Sequence, residues 1–321
     1  MAIKNVITVD LGGTKILTAL LNNKTEIVSK YKLPTKYDSG AENLVKSIAK
    51  TINAVLTNSK IDQKKISAIS LGVPGTVNPN SGIIGNAPNL SIVNFNIKEA
   101  LQKYFSIPVI IENDVNLAAL GIKKYEFKDK VNNMLVVFVG TGIGGALIFN
   151  GKMYRGSSFF AGEIGHMKVS KKGRLGATNN SDTFEGIASR TAIVNSITAK
   201  IKKGEKSELA EMVKSGEPIK SKSIAKALKN GDELVIKNVE SASKTIGTVL
   251  GSITTLLNLD TIVLGGGVVE AAGDFMLPVV ETAFYKTVLN EPGKAVNLKI
   301  TKLGDYAPIY GGAALAEEFI L

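Results

Sequence analysis

A short glycine phrase occurs in two variants, Asp10-Leu11-Gly12-Gly13-Thr14-Lys15 and Gly140-Thr141-Gly142-Ile143-Gly144-Gly145, each set between apolar runs of β type. Val6 to Val9 lead into the first and Ile16 to Leu21 leave it; Met134 to Val139 and Ala146 to Phe149 flank the second. The pattern reads strand, glycine turn, strand, twice. Glycine lets backbone N–H groups close on an anion because no Cβ intervenes, and such turns often require positive φ. Neither phrase contains the GxxxxGK[ST] loop, and neither opens a helix as a dinucleotide fingerprint does. Singly, each is a tight β-hairpin or a hairpin whose tip binds phosphate. The repetition points to one nucleotide held between two related halves.

A chain of 321 residues, 44% of them hydrophobic and 32 of them glycine, is long enough for two domains with sizeable cores. The start, Met1-Ala2-Ile3-Lys4-Asn5, lacks a secretory apolar region, and no run reaches about 18 uninterrupted apolar residues, so a cytoplasmic protein without a membrane span is expected. The absence of cysteine removes disulfides and thiolate chemistry, and a single histidine cannot build a Cys/His metal cluster. The net charge of +11 raises the question of nucleic acid. The lysines, however, are scattered through 46–65, 123–130 and 200–229 without interleaved aromatics, which reads as a solvated surface that attracts anionic substrates such as ATP.

Apolar spacing predicts a helix over 41–58, a strand over Ile66 to Val73, a loop at Gly72-Val73-Pro74-Gly75, a strand at Pro108 to Ile111 and a helix from Val115 toward Lys124. In the second half, helices are expected at 185–202, 206–214, 221–229 and 232–258. The last has a broad apolar face and is expected to be central and buried, or else part of a subunit interface. A strand at Thr261 to Leu264 then ends in Gly265-Gly266-Gly267, succeeded by a helix near 273–289, a strand near 297–303 and a final helix from Ile309. Strands alternating with helices make the fold class α/β.

The first glycine phrase, Glu112-Asn113-Asp114-Val115-Asn116, the second glycine phrase, Ala161-Gly162-Glu163-Ile164-Gly165-His166 and Gly265-Gly266-Gly267 together resemble the ROK family, in family order from residue 6 to residue 318. That family shares the actin-like, ribonuclease H-like ATPase fold of hexokinases and Hsp70 chaperones. The resemblance implies two actin-like domains, 1–118 plus 307–321 and 119–306, with a nucleotide and sugar cleft between them. It further implies ATP with Mg²⁺, a sugar substrate, domain closure around the sugar, and a homo-oligomer such as a dimer. Asp114 matches the family's catalytic base, which takes the proton of a sugar hydroxyl as that hydroxyl attacks the γ-phosphoryl group; alternatively it N-caps the adjoining helix. Asn113, Glu163, His166 and Glu185 match sugar-contacting positions, and an Asn amide, two carboxylates and an imidazole supply the donors and acceptors a sugar needs. Asn89, in Ala87-Pro88-Asn89-Leu90, is either a further sugar contact or a turn residue.

On the nucleotide side, Gly12, Gly13, Thr14 and Lys15 match the first phosphate motif, Gly140, Thr141, Gly142 and Gly144 the second, and Gly265, Gly266 and Gly267 the adenosine motif. Asp10 is placed to orient hydrated Mg²⁺ or to stabilise the glycine turn. Lys15 is either a phosphate counter-charge or an exposed lysine. Many members carry three cysteines after the histidine that bind structural zinc with it. Here residues 174–185 read RLGATNNSDTFE, so Glu185 remains, the thiolates do not, and no zinc is expected. Family repressors carry a winged helix-turn-helix ahead of the first glycine motif. With that motif at residue 10, a kinase is expected, with a non-catalytic sugar-sensing protein as the alternative, glucose leading fructose, mannose, N-acetylglucosamine and N-acetylmannosamine as acceptor, and ATP or polyphosphate as donor.

Overall fold

The computed structural model describes residues 5–35, 40–169 and 182–320. Met1 to Lys4 of the N-terminal stretch and 174–181 of the segment that replaces the cysteine motif lie outside the described residues. In chain order the elements are β1 (Asn5–Leu11), β2 (Lys15–Asn22), β3 (Ile27–Pro34), α1 (Gly40–Ser59), β4 (Ile66–Val73), β5 (Thr76–Asn78), β6 (Ile83–Ala87), β7 (Ile92–Asn96), α2 (Ile97–Gln102), β8 (Val109–Asn113) and α3 (Asp114–Gly121). Next come β9 (Met134–Val139), β10 (Ile143–Phe149), β11 (Lys152–Tyr154), α4 (Phe184–Ala188), α5 (Arg190–Lys202), α6 (Ala210–Ser215), α7 (Ser221–Lys229) and α8 (Glu233–Leu257). The chain ends with β12 (Thr261–Gly265), α9 (Gly267–Thr287), α10 (Asn290–Ala295), β13 (Asn297–Ile300) and α11 (Ala307–Ile320).

Two compact units result, one of Met1–Lys130, Gly151–Ala161 and Asp305–Leu321, the other of Val131–Asn150 and Gly162–Gly304. In the first, the sheet runs β3-β2-β1-β4-β8, with β1 antiparallel to β2 and parallel to β4. Side chains alternate across β1. Ile7, Val9 and Leu11 face a core that includes Leu44, Ile48 and Ile52 of α1, whereas Val6 packs with Ala316 of α11. The helical spacing of α1 thus buries one face against one side of the sheet, and α11 covers the other. In the second unit, β10, β9, β12 and β13 repeat the arrangement of β2, β1, β4 and β8: an antiparallel hairpin stands beside two strands parallel to its first strand. Its core gathers Leu135, Val137 and Val139 of β9 with Val235, Val239, Ile246 and Leu250 of α8. The expectation that this long helix is buried within its own domain holds for that face.

Some expected elements are corrected. The helix predicted over 185–202 is two helices, because Ser189 takes an extended backbone (φ −71°, ψ 166°) and its side chain accepts from Ala192 N to cap α5. The helix predicted from 206 starts at Ala210, since Ser207 Oγ and Glu208 N are held by the Asp232 carboxylate at 2.6 and 2.8 Å. The helix predicted near 273 starts at Gly267, directly after the first two glycines of the triplet. Strand β3 and the small sheet β5-β6-β7 were not foreseen; β3 has no fully buried residue and so lacks an apolar run.

Helices α3 and α11 touch through their backbones. A methyl group on Gly311 would overlap the Leu117 carbonyl, and one on Gly121 would lie 2.7 Å from Gly311 N. Helix propensity alone favours alanine over glycine by about 1 kcal/mol. Gly311→Ala is nevertheless expected to lose about 2 kcal/mol through overpacking, read as a lower denaturant midpoint; a gain in stability would show that the contact yields.

Candidate active site

In the first unit, the glycine turn and the Asp114 region stand together at the carboxyl ends of the parallel strands, where ligands of open α/β sheets bind. Asp10 pairs across to Gly72 of β4, and Gly72 to Glu112 of β8. The turn is tightened by Gly12 N donating to Lys15 O at 2.9 Å and by Thr35, whose hydroxyl donates to Gly12 O at 2.8 Å and whose N–H donates to Thr14 O at 3.1 Å. Lys15 is not simply exposed: it forms an ion pair with Asp305. The Asp10 carboxyl is pushed up to about 7, by burial first and by the Asp114 carboxylate next; Lys15 opposes the shift and Asp305 adds to it. Asn89 is exposed on a 3-10 turn, its Cβ 3.7 Å from where a methyl on Gly13 would stand, so it neighbours the first glycine turn.

The cap of α3 is Asn113, one residue before Asp114. Asn113 Oδ1 accepts from Val115 N at 2.9 Å and Asn116 N at 3.1 Å, while its Nδ2 donates to Gly75 O at 3.1 Å. Asp114 Oδ1 also accepts from Val115 N, at 2.9 Å. Behind this turn lies Glu112, only 2% exposed. Its Oε1 accepts from Asn113 N at 3.0 Å and Asn116 Nδ2 at 2.9 Å, and its Oε2 accepts from Arg155 Nε at 2.6 Å. The sequence motif contains Glu112 without giving it a role and does not reveal Arg155 at all; no spacing rule links two residues so far apart.

In the second unit, Glu163, His166 and Glu185 come together as expected. His166 Nε2 lies 3.8 Å from Glu163 Oε2, and burial chiefly raises the Glu163 pKa, with His166 lowering it and Glu185 raising it. The turn bearing Glu163 packs backbone to backbone on β10. Gly162 has φ +96°, and a methyl there would lie 3.0 Å from the Gly145 carbonyl carbon. Phe184, fully buried, anchors α4, and the Glu185 Oε2 accepts from Ile143 N at 2.8 Å. The flanks of the segment between are joined by a bridge at Lys168 and Thr183, with Val169 N donating to Asp182 O and Phe184 N to Met167 O. Arg190 and Thr191, neither of them signalled by a motif, bind the second glycine turn: Arg190 N donates to Gly140 O, and Arg190 Nη2 and Thr191 Oγ1 reach Thr141 at 2.7 Å each.

The motif glycines divide into two sets. A methyl on Gly266 (φ +86°) would lie 2.7 Å from Val139 O, and one on Gly265 would meet the Phe138 ring, so these two are required by packing. At Gly140 nothing lies within 4 Å of that position, at Gly13 only Asn89 does, and at Gly267 only Ser221 Oγ, at 3.6 Å. No protein group demands glycine at these three. They leave space beside the backbone open to an incoming group, although at Gly140 the N–H itself donates to Gly142 O at 2.9 Å and the carbonyl accepts from Arg190 N. Among the described residues no cluster of three His, Asp or Glu residues could hold a metal ion, and no helix is long and apolar enough to cross a membrane.

These paired α/β units, each with a glycine hairpin at the ends of parallel strands, are those of a two-domain actin-like fold. The chain belongs to the ROK family, whose sequence profile matches residues 6–319. It is 31% identical over 313 residues to a glucokinase of Halalkalibacterium halodurans, covering 97% of this chain and 94% of that protein. It is 28% identical over 310 residues to a putative xylose repressor of a Caldicellulosiruptor species, covering 97% of this chain and 77% of that protein. The crystal structure of a ROK family glucokinase from Streptomyces griseus in complex with glucose and AMPPNP superposes with a TM-score of 0.83 at 25% identity, covering 98% of this chain and 99% of that one.

Two stability measurements probe this geometry. Arg155→Ala is expected to cost about 3 kcal/mol by leaving Glu112 buried without its counter-charge. The double variant with Glu112→Gln should lose less, because an amide needs no cation; strictly additive losses would refute the pairing. For Asp10, a folded pKa of about 7 against an ordinary 3.8 means that the folded protein holds a proton the unfolded chain has released between these pH values. That contribution to stability therefore falls as pH rises through the window. The melting temperature of Asp10→Asn relative to the parent should climb from about pH 4 to pH 7 and then level off; a flat difference would refute the shift.

Proposed function

We propose that this protein is a sugar kinase that transfers the γ-phosphoryl group of ATP to a hexose hydroxyl, the 6-OH of glucose being the acceptor put forward. The observation that carries the reading is Asp114, at the head of α3 and close enough to the Asp10 carboxylate of the first glycine turn to raise its pKa. A carboxylate so situated beside a phosphate-binding turn can accept the proton of a sugar hydroxyl as that oxygen attacks phosphorus. The capping bonds of Asn113 use its oxygen twice and one amide hydrogen, and the second amide hydrogen is left for a sugar oxygen. Glu163, His166 and Glu185 are the remaining proposed sugar contacts. Gly13 and Gly267 offer open backbone for phosphate and adenosine, and Gly140 offers open space beside a backbone whose N–H is engaged by Gly142 O.

Asp10 is the proposed partner of Mg²⁺ through its water shell; the ion, when bound, would neutralise charge on the phosphates. Zinc has no part in the proposal. The glucokinase relative supports transfer to glucose, while the repressor relative makes catalysis the point to test first. ADP release from ATP–Mg²⁺ over glucose, fructose, mannose, N-acetylglucosamine and N-acetylmannosamine is expected to reveal one favoured sugar. Asp114→Asn should lower turnover on it by roughly 10²–10⁴-fold while sugar binding by calorimetry stays largely intact. Turnover within a few-fold of the parent would remove Asp114 as the base, and no turnover by the parent on any sugar with sugar still bound would favour a sensor.

A further inference from the structure

We propose that Arg190 is a contact for the phosphate chain of the phosphoryl donor, so that the second glycine turn holds its anion with a guanidinium as well as with backbone; this rests on the kinase reading above. The break at Ser189 makes Arg190 the first residue of a thirteen-residue helix. That helix is stitched onto the turn by Arg190 N to Gly140 O at 2.9 Å and by Thr191 Oγ1 to Thr141 O at 2.7 Å. The side chain adds a third tie: Arg190 Nη2 donates to Thr141 Oγ1 at 2.7 Å. Among the described residues no carboxylate forms an ion pair with this guanidinium, and the nearby Glu185 Oε2 is engaged by Ile143 N. Arg190 is therefore a partly exposed cation whose guanidinium donors, among the described residues, are used only at Thr141, tethered to the hydroxyl of a turn whose Gly140 face is open.

A guanidinium fork matches phosphate oxygens, and charge-assisted bonds of this kind are the strong ones. An anion here also meets the positive end of α5. A purely bracing role for Arg190 predicts a different outcome, because the glycine turn also supports Glu185. Loosening the turn would disturb sugar binding as much as ATP binding.

The test compares the full chain with Arg190→Ala and Arg190→Lys, using calorimetric titration with ATP and with tripolyphosphate and steady-state kinetics on the favoured sugar. Arg190→Ala should weaken both phosphate ligands and raise KM for ATP by roughly 10–100-fold, leave KM for the sugar unchanged, and be partly rescued by Arg190→Lys. Unchanged affinity for ATP and tripolyphosphate in Arg190→Ala overturns the proposal. So does a loss that extends equally to the sugar and is not relieved by lysine. A parent chain that neither binds ATP nor releases ADP overturns the kinase reading itself, and this proposal with it.

Discussion

The geometry of the first unit's site depends on one buried carboxylate. Glu112 sits at the end of β8 with almost no exposure, where an ionised group is tolerated only if it is paired and hydrogen-bonded. Its partners are the peptide N–H of Asn113, the Asn116 amide and Arg155. One carboxylate therefore ties together the end of a strand, the first turn of a helix and a segment from much later in the chain. With that corner fixed, Asn113 can cap α3, and Asp114 is held at the mouth of the sheet next to Asp10. Gly72 completes the arrangement: a methyl there would lie 2.9 Å from Leu117 Cδ1 and 3.5 Å from the Asp114 Cα. Close packing of the strand end against α3 is thus what brings two carboxylates into each other's field.

The second unit uses the same strand arrangement for different chemistry. Its first strand also ends in a glycine hairpin and its neighbouring parallel strand β12 leads into Gly266, pressed on Val139, but β13, the counterpart of β8, runs into Thr301 rather than into an acid. Glutamates come instead from outside the sheet, on a turn packed against β10 and on the short helix α4. A hairpin with two parallel strands beside it supplies three chain ends at one edge, and each unit equips those ends independently. Function in such a fold lies in the groups attached to the ends, not in the sheet.

Much of this was legible in the chain. The strand–glycine–strand pattern, the helices at 221–229 and 232–258 and the grouping of Glu163, His166 and Glu185 all come from local periodicity or from ordered motifs. The features that were not legible have physical reasons. Ser189 breaks a continuous apolar pattern because its hydroxyl can replace a helical hydrogen bond, and composition alone does not say when a serine will do so. Arg155 and Arg190 gain their significance from partners 43 and 49 residues away in sequence, a relation that only the folded chain defines. The glycine triplet suggests room for adenosine, yet two of its three members are dictated by neighbouring protein atoms.

The bridge between Lys168 and Thr183 has an evolutionary consequence. By joining the chain where it leaves and where it returns, it makes the intervening stretch an insert whose ends are already closed, and closure entropy grows only slowly with the length of such an insert. Phe184, rooted in the core, and the Ile143 N–H hold Glu185 from outside that stretch. A lineage could exchange one set of residues there for another, thiols included, without moving the glutamate.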